Sequence, residues 1–358
     1  MKSLINKVLP VCLLIVAALA CNKQEATQIT PPVPTPSPTM PSGQTLSVSF
    51  SRNEINADGF DETRIRVTDK DNNDVTASST IFINNTQLSG TVFFTSIAGT
   101  YQVKAVRNNI ESPIASINAV SPGPSAFKQK VIAEMYTGTW CGICPGTIIP
   151  LEEYIKSKPE IIYIGIHGPM GSNDPYTYSF DSQLRNKFGV GGVPTVIVNR
   201  SDRWDGKNSS LDILTQQRPA LGLAIESSVS GNTISAKVKV KFDVSTSIPL
   251  KIVVALVEDN LIYNQANYGH YGLPNPIVGF SHKNVLRNAG TDIFGDKVPT
   301  AEQVKSNIWQ KEVTLNASGF NITNCKVVAY VLFDSDAQTR KGILNAQIAA
   351  AGQTKNFD

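Results

Sequence analysis

The rhythm of apolar and polar residues changes several times along the chain and divides it before any motif is considered. Residues 8–20 are an unbroken apolar run. That run is short for a bilayer-spanning helix, which needs about 20 residues. Residues 22–43 carry no period and are rich in proline, with Thr30-Pro31-Pro32-Val33-Pro34-Thr35-Pro36-Ser37-Pro38 at their centre. Such a segment favours extended polyproline II and reads as a tether. From 44 to 120 the period is two. Strands are predicted at 46–50, 64–68, 80–83, 91–95 and 100–106, with a turn at Asp69-Lys70-Asp71-Asn72-Asn73. Short strands at this spacing predict an immunoglobulin-like β-sandwich.

Ser121-Pro122-Gly123-Pro124-Ser125 marks the next boundary. Beyond it, through residue 218, the pattern reads as α/β. A strand is predicted at 130–136 and a helix at 147–156, with Ile148, Ile149, Leu151 and Ile155 apolar. The near-continuous apolar run at 161–166 marks a parallel strand buried on both faces. A helix at 179–188 and a strand at 195–199 follow. From 219 to 350 the period of two returns. Val238, Val240 and Phe242 alternate with Lys237, Lys239 and Lys241, and further strands are predicted at 251–257, 309–315, 326–333 and 343–349. Residues 259–300 read as a long connection, of the kind that carries function when ordered. The expected fold class is multidomain: an N-terminal immunoglobulin-like β-sandwich (44–120), a central α/β domain (126–218) and a C-terminal β-rich, sandwich-like domain (219–350).

Composition changes this picture little. Of the 358 residues 41% are hydrophobic and 17% charged, which is globular rather than disordered. The net charge of +3 leaves no footprint for nucleic acid. The N-terminus changes it more. Lys2 and Lys7 precede the apolar run as in an export signal. Ala18-Leu19-Ala20-Cys21 then resembles the lipobox of bacterial lipoproteins. That resemblance implies a signal peptide at 1–20, lipid on Cys21, a tether at 21–43 and membrane attachment through the lipid. Cys12 would leave with the signal. Cys141, Cys144 and Cys325 would remain, in an oxidising compartment.

The chemistry concentrates at Trp140-Cys141-Gly142-Ile143-Cys144-Pro145. A cysteine at a helix N-terminus has its thiolate favoured by unpaired N–H groups and the helix dipole. Cys141 could attack as a thiolate, and Cys144, one turn on, could resolve the mixed disulfide. Metal binding needs four ligands, and no second C-x-x-C or paired-histidine motif accompanies this one. A purely structural disulfide stays open, although so short a loop constrains the unfolded chain little. No cofactor is called for. Other candidates have weaker claims. His167 ends the strand predicted at 161–166, where the carboxyl ends of parallel strands gather. His270 and His282 sit among Tyr263, Tyr268, Tyr271 and Phe280 in the long connection. Cys325 opens a strand and reads as an inert buried thiol.

The cysteine motif after a strand and before a helix, with Gly191-Gly192-Val193-Pro194-Thr195 fifty residues on, resembles the thioredoxin-like proteins. The resemblance implies a cis-proline at Pro194 against the disulfide. It implies substrate backbone held by Trp140, Val193, Pro194 and Thr195, and a buried acid, here Glu134, relaying a proton to the resolving cysteine. The helix-kinking proline of that family would be Pro150. Tyr136-Thr137-Gly138-Thr139-Trp140-Cys141, Phe280-Ser281-His282-Lys283-Asn284-Val285-Leu286-Arg287 and Gly342-Ile343-Leu344-Asn345-Ala346-Gln347, with the lipobox, resemble the twenty-eight-kilodalton outer-membrane protein family of Bacteroidetes. This implies an exported lipoprotein with a thioredoxin-like domain and a β-rich C-terminal domain over residues 126–350. Two functions lead, ahead of a heme or metallochaperone accessory role that no sequence feature selects. One is a thiol–disulfide oxidoreductase acting on exported cysteine-containing proteins or an envelope redox partner. The other is a cell-surface binding or adhesion protein whose cysteine pair is structural or vestigial.

Overall fold

The computed structural model describes residues 45–170, 172–334 and 340–358. The expected signal peptide, the lipidated Cys21 and the tether lie outside the described residues.

Short strands with one buried face need a second layer to close them. The N-terminal segment supplies both layers. Strands β1 (Ser47–Phe50), β3 (Glu62–Thr68) and β6 (Val92–Phe94) form one sheet in the order β1-β3-β6. Strands β2 (Glu54–Asn56), β4 (Thr80–Ile83), β5 (Thr86–Gln87), β7 (Gly99–Arg107), β8 (Ile110–Glu111) and β9 (Ala115–Val120) form the other. Ile65 and Val67 from the first sheet meet Val103, Ala105 and Ile117 from the second in one core. The turn at Asp69 forms as expected: its carboxylate accepts from the backbone N–H groups of Asp71 and Asn73.

Strand β10 (Val131–Thr137) is buried along its length, as is β11 (Ile161–His167). The two pair in parallel, with Thr137 beside His167. Helix α1 (Pro145–Ile155) connects them. It begins at Pro145, earlier than the apolar pattern indicates, because proline suits the first helical position. After helix α2 (Asp181–Lys187), β12 (Thr195–Val198) runs antiparallel to β10 and sets Thr195 against Tyr136. Strand β13 (Asp202–Arg203) and helix α3 (Asn208–Thr215) complete this part.

The rest of the chain is β. Strand β14 (Leu221–Ser230), which a serine-rich second half conceals in the sequence, pairs with β15 (Thr233–Phe242) over ten residue pairs. Strand β16 (Leu250–Glu258) follows. The segment expected as a long connection holds four strands: β17 (Leu261–Gln265), β18 (Ile277–His282), β19 (Val285–Ala289) and β20 (Asp296–Val298). Then come β21 (Ile308–Asn316), β22 (Cys325–Phe333), β23 (Ile343–Ala350) and β24 (Thr354–Lys355).

Strand β19 is the seam of the molecule. It pairs with β11 in parallel through Gly165 and Val285 and with β16 antiparallel. The α/β part and the β-rich part therefore share one nine-stranded sheet, ordered β13-β12-β10-β11-β19-β16-β22-β23, with β20 also on β16. Strand alternation gives this sheet two faces. Ile132, Tyr136, Ile162, Ile164 and Ile166 share one core with Val253, Val257, Val328 and Tyr330. On the other face, Ala133, Met135 and Tyr163 pack beneath α1 and both cysteines. Farther along, Val254, Leu256, Val327 and Ala329 pack against the four-stranded sheet β21-β15-β14-β24. Residues 45–358 form one compact unit. Within it the N-terminal layers touch the rest through Phe60 stacked on Phe333 at 5.5 Å and through Arg340, 3.1 Å from Glu62.

Candidate functional site

The carboxyl ends of β10 and β11, the start of α1 and the start of β12 converge on Cys141 and Cys144. The two cysteines form a disulfide with Cα atoms 5.4 Å apart. Cys144 is the N-cap of α1, and its carbonyl accepts from the Ile148 N–H at 3.0 Å. Cys141 lies just ahead of the helix. The four leading N–H groups of a helix lack intrahelical partners, so this position favours a thiolate once the bond is reduced. Val193 packs against the cluster that contains both cysteines, and the Val193-Pro194 peptide bond is cis. Thr195 is buried, its hydroxyl donating to the Gly192 carbonyl at 2.8 Å. Trp140 flanks the pair, its indole N–H donating to the Gly168 carbonyl at 3.0 Å. Pro150 lies inside α1.

Glu134 needs correction. Its position on β10 has the parity of Ile132 and Tyr136, so its side chain leaves the sheet on the face away from the cysteines. There Arg200 takes its carboxylate, with Nε donating at 2.9 Å. Both side chains are about 1% exposed. The Arg200 guanidinium also lies over the rings of Phe188 and Tyr330. Glu134 is a partner in a buried ion pair and faces the wrong way for the expected relay.

His167 is on the cysteine face, at the end of β11, and is buried. Its Nδ1 lies 2.9 Å from Asp174 Oδ2, and the same oxygen accepts the Thr139 N–H at 2.6 Å. Burial pushes the Asp174 carboxyl up. Hydrogen bonds from His167, Thr139 and Tyr176 outweigh burial and hold it below the usual carboxylate range. Asp174 thus ties His167 to the loop that enters the cysteine motif. The His282 ring stands edge-on to His167 at 5.2 Å. Burial, and then the neighbouring His167, hold the His282 pKa down to about 3, so this imidazole is neutral. Cys325 is buried, and burial pushes its thiol up to about 11.

The sequence gives little notice of Gln265, at the end of β17. Its side-chain amide donates to the Cys141 carbonyl at 2.9 Å and to the Gly138 carbonyl at 3.2 Å. Next to it, the Ala266 N–H donates to the Thr139 carbonyl and the Tyr268 N–H to the Gly142 carbonyl, both at 2.8 Å. The Tyr268 ring lies on Gly142, where a Cβ would overlap it, and a Cβ at Gly146 would come within 2.8 Å of the His270 ring. The legible signal was compositional: no Asp, Glu, Lys or Arg occurs from 261 to 282.

No curated protein matches the chain. Among solved structures, HBP35 of Porphyromonas gingivalis is similar over 64% of this chain and 77% of its own, with TM-score 0.54 and 19% identity. That likeness concerns the fold. The adhesin InvE of Yersinia pseudotuberculosis also matches, at 10% identity over 86% of this chain and 59% of its own. Its TM-score of 0.19 supports no argument. Residues 181–355 match the family model described as outer membrane protein Omp28, a stretch that begins after the cysteine pair, and the match supports a cell-envelope, outer-membrane location for the chain.

Proposed function

We propose that this envelope protein carries out thiol–disulfide exchange through Cys141 and Cys144, on a thioredoxin-like unit spanning residues 126–218. An immunoglobulin-like module (44–120) and a β-rich domain (219–350) would flank it. The observation that supports this most is the placement of the disulfide at the N-terminus of α1, in the cluster against which Val193 of the cis Val193-Pro194 bond packs. In the reducing direction, the Cys141 thiolate attacks one sulfur of a disulfide in an exported protein. The substrate S–S bond breaks, and the leaving sulfur takes up a proton. Cys144, deprotonated, then attacks Cys141 in the mixed disulfide and releases the second substrate thiol. The substrate gains two electrons and the cysteine pair becomes the observed disulfide. An envelope dithiol donor would reduce it for the next cycle. The backbone of Val193, Pro194 and Thr195 and the Trp140 ring would hold the substrate strand. The lipid on Cys21 would hold the protein at the membrane.

The test is a Cys144→Ser chain expressed in its native envelope. The mixed disulfide then has no resolving thiol, and exported proteins should accumulate as adducts that dithiothreitol releases. If no adduct forms, and Cys141→Ser changes no envelope protein's redox state, the proposal fails.

A second reading draws on a specific observation: Cys141 is only 3% exposed. A covered bond can be a staple, in a binding or adhesion protein that acts through its β domains. The family match, which lies outside the cysteine motif, sits closer to that reading than to exchange.

A further inference from the structure

One segment of the chain lies directly against the loop that carries Cys141. Residues 265–271 run from the tip of β17 across the mouth of the cysteine loop. Two backbone N–H groups, of Ala266 and Tyr268, donate to the carbonyls of Thr139 and Gly142, in the manner of an added strand. The Gln265 amide donates to the carbonyl of Cys141 itself. Tyr268 lays its ring on Gly142 yet keeps 71% of its surface in solvent. Farther on, the Tyr271 hydroxyl donates to the Gly146 carbonyl at 3.4 Å, and the β18 residue Phe280 packs against the cysteine cluster. Cys144 is fully buried.

We propose that residues 265–271 are a cover on the Cys141–Cys144 disulfide, and that Gln265 and Tyr268 decide which thiols reach it. The inference rests on the exchange reading above and adds to it a barrier to entry. Attack on a disulfide needs the incoming thiolate in line with the S–S bond, so rate depends on access as well as on thiol chemistry. A cysteine only 3% exposed leaves little room for such an approach. The cover lies against the loop through hydrogen bonds and ring contacts. Its parent hairpin, 261–282, has no acidic or basic residue apart from histidine, so no carboxylate or ammonium of its own locks it down. A few hydrogen bonds and two exposed tyrosines, Tyr268 and Tyr271, are a small part of what fixes a β-ladder, and segments held this way open locally. The same contacts set its selectivity. A small dithiol needs only a brief opening, whereas a protein thiol needs the cover displaced from the Gly142 carbonyl.

The reaction that reads this out balances within its reagents. Dithiothreitol attacks one sulfur of the pair as a thiolate, and the Cys141–Cys144 bond breaks. Its second thiol then closes the six-membered cyclic disulfide, leaving two protein thiols. The oxidised full chain is mixed with increasing dithiothreitol, and free thiols are trapped with maleimide and counted by mass. In the wild type the rate should stop rising at high dithiothreitol, where opening becomes limiting. In Tyr268→Ala and in Gln265→Ala it should be at least tenfold faster and stay proportional to reagent. Tyr268→Phe, which keeps the ring, should retain the wild-type rate. A wild-type rate that stays linear in dithiothreitol, or an unchanged rate in Tyr268→Ala, overturns the cover. The outcome is independent of whether a protein substrate exists. A gated bond with no adducts in Cys144→Ser would sink the exchange reading alone, and adducts with ungated reduction would sink the cover alone.

Discussion

Glu134 and Arg200 show what a single buried charge commits the molecule to. Each is about 1% exposed, and each is the other's counter-charge. Removing the cation alone leaves a carboxylate without compensation inside a core. Arg200→Met should therefore cost about 3–5 kcal/mol, read as a lower urea midpoint. Glu134→Gln should leave the reduction potential of the cysteine pair unchanged, because its side chain points to the opposite face of β10; a large shift in the potential would restore the relay. His282 makes a pH prediction. Its pKa of about 3 in the fold lies below its ordinary value of about 6.5. The unfolded chain therefore binds the proton first as pH falls. The stability tied to the neutral imidazole is complete above about pH 6.5 and is lost progressively toward pH 3. Between pH 7 and pH 4.5 the urea midpoint should fall less in His282→Leu than in the wild type. An identical fall in both chains would show that another group carries the dependence.

At the scale of elements, β19 holds two parts of the molecule together through few contacts. Gly165 donates its N–H to the Asn284 carbonyl at 3.0 Å, and a Cβ there would lie 3.2 Å from the Lys283 carbonyl oxygen. Gly165→Val should push β19 off β11 and cost about 1–3 kcal/mol, the range for overpacking. If stability is untouched, β11 and β19 tolerate more space than the geometry indicates. The strands with clean rhythm were legible in the sequence: the buried run of β11 and the lysine alternation of β15 left few other assignments. The elements between 259 and 300 were not. Gly279, Pro274 and Pro276 interrupt the pattern, and β17 and β18 pair mainly with each other, so each exposes residues that a core strand would bury. What residues 265–271 lie on is the cysteine loop, a contact more than a hundred residues away in sequence.

For the whole molecule, the cysteine motif could be named from local spacing, and the Val193-Pro194 element through the resemblance that accompanies it. Their cover could not, because a Gln or Tyr in an uncharged loop has no marker until the fold places it. The shared nine-stranded sheet was equally hidden, since periodicity says which residues form strands and not which strands meet. The match to an outer-membrane family supports an envelope setting, and there a dithiol meets oxidising conditions. Whether this bond exchanges or staples is written in its redox potential. The most direct measurement is the equilibrium potential of the Cys141–Cys144 couple in the full chain, set against graded dithiothreitol or glutathione redox buffers. An exchanging pair should give a value between about −270 mV and about −120 mV, the span of catalytic dithiols. A value below about −300 mV, typical of structural disulfides, would contradict exchange.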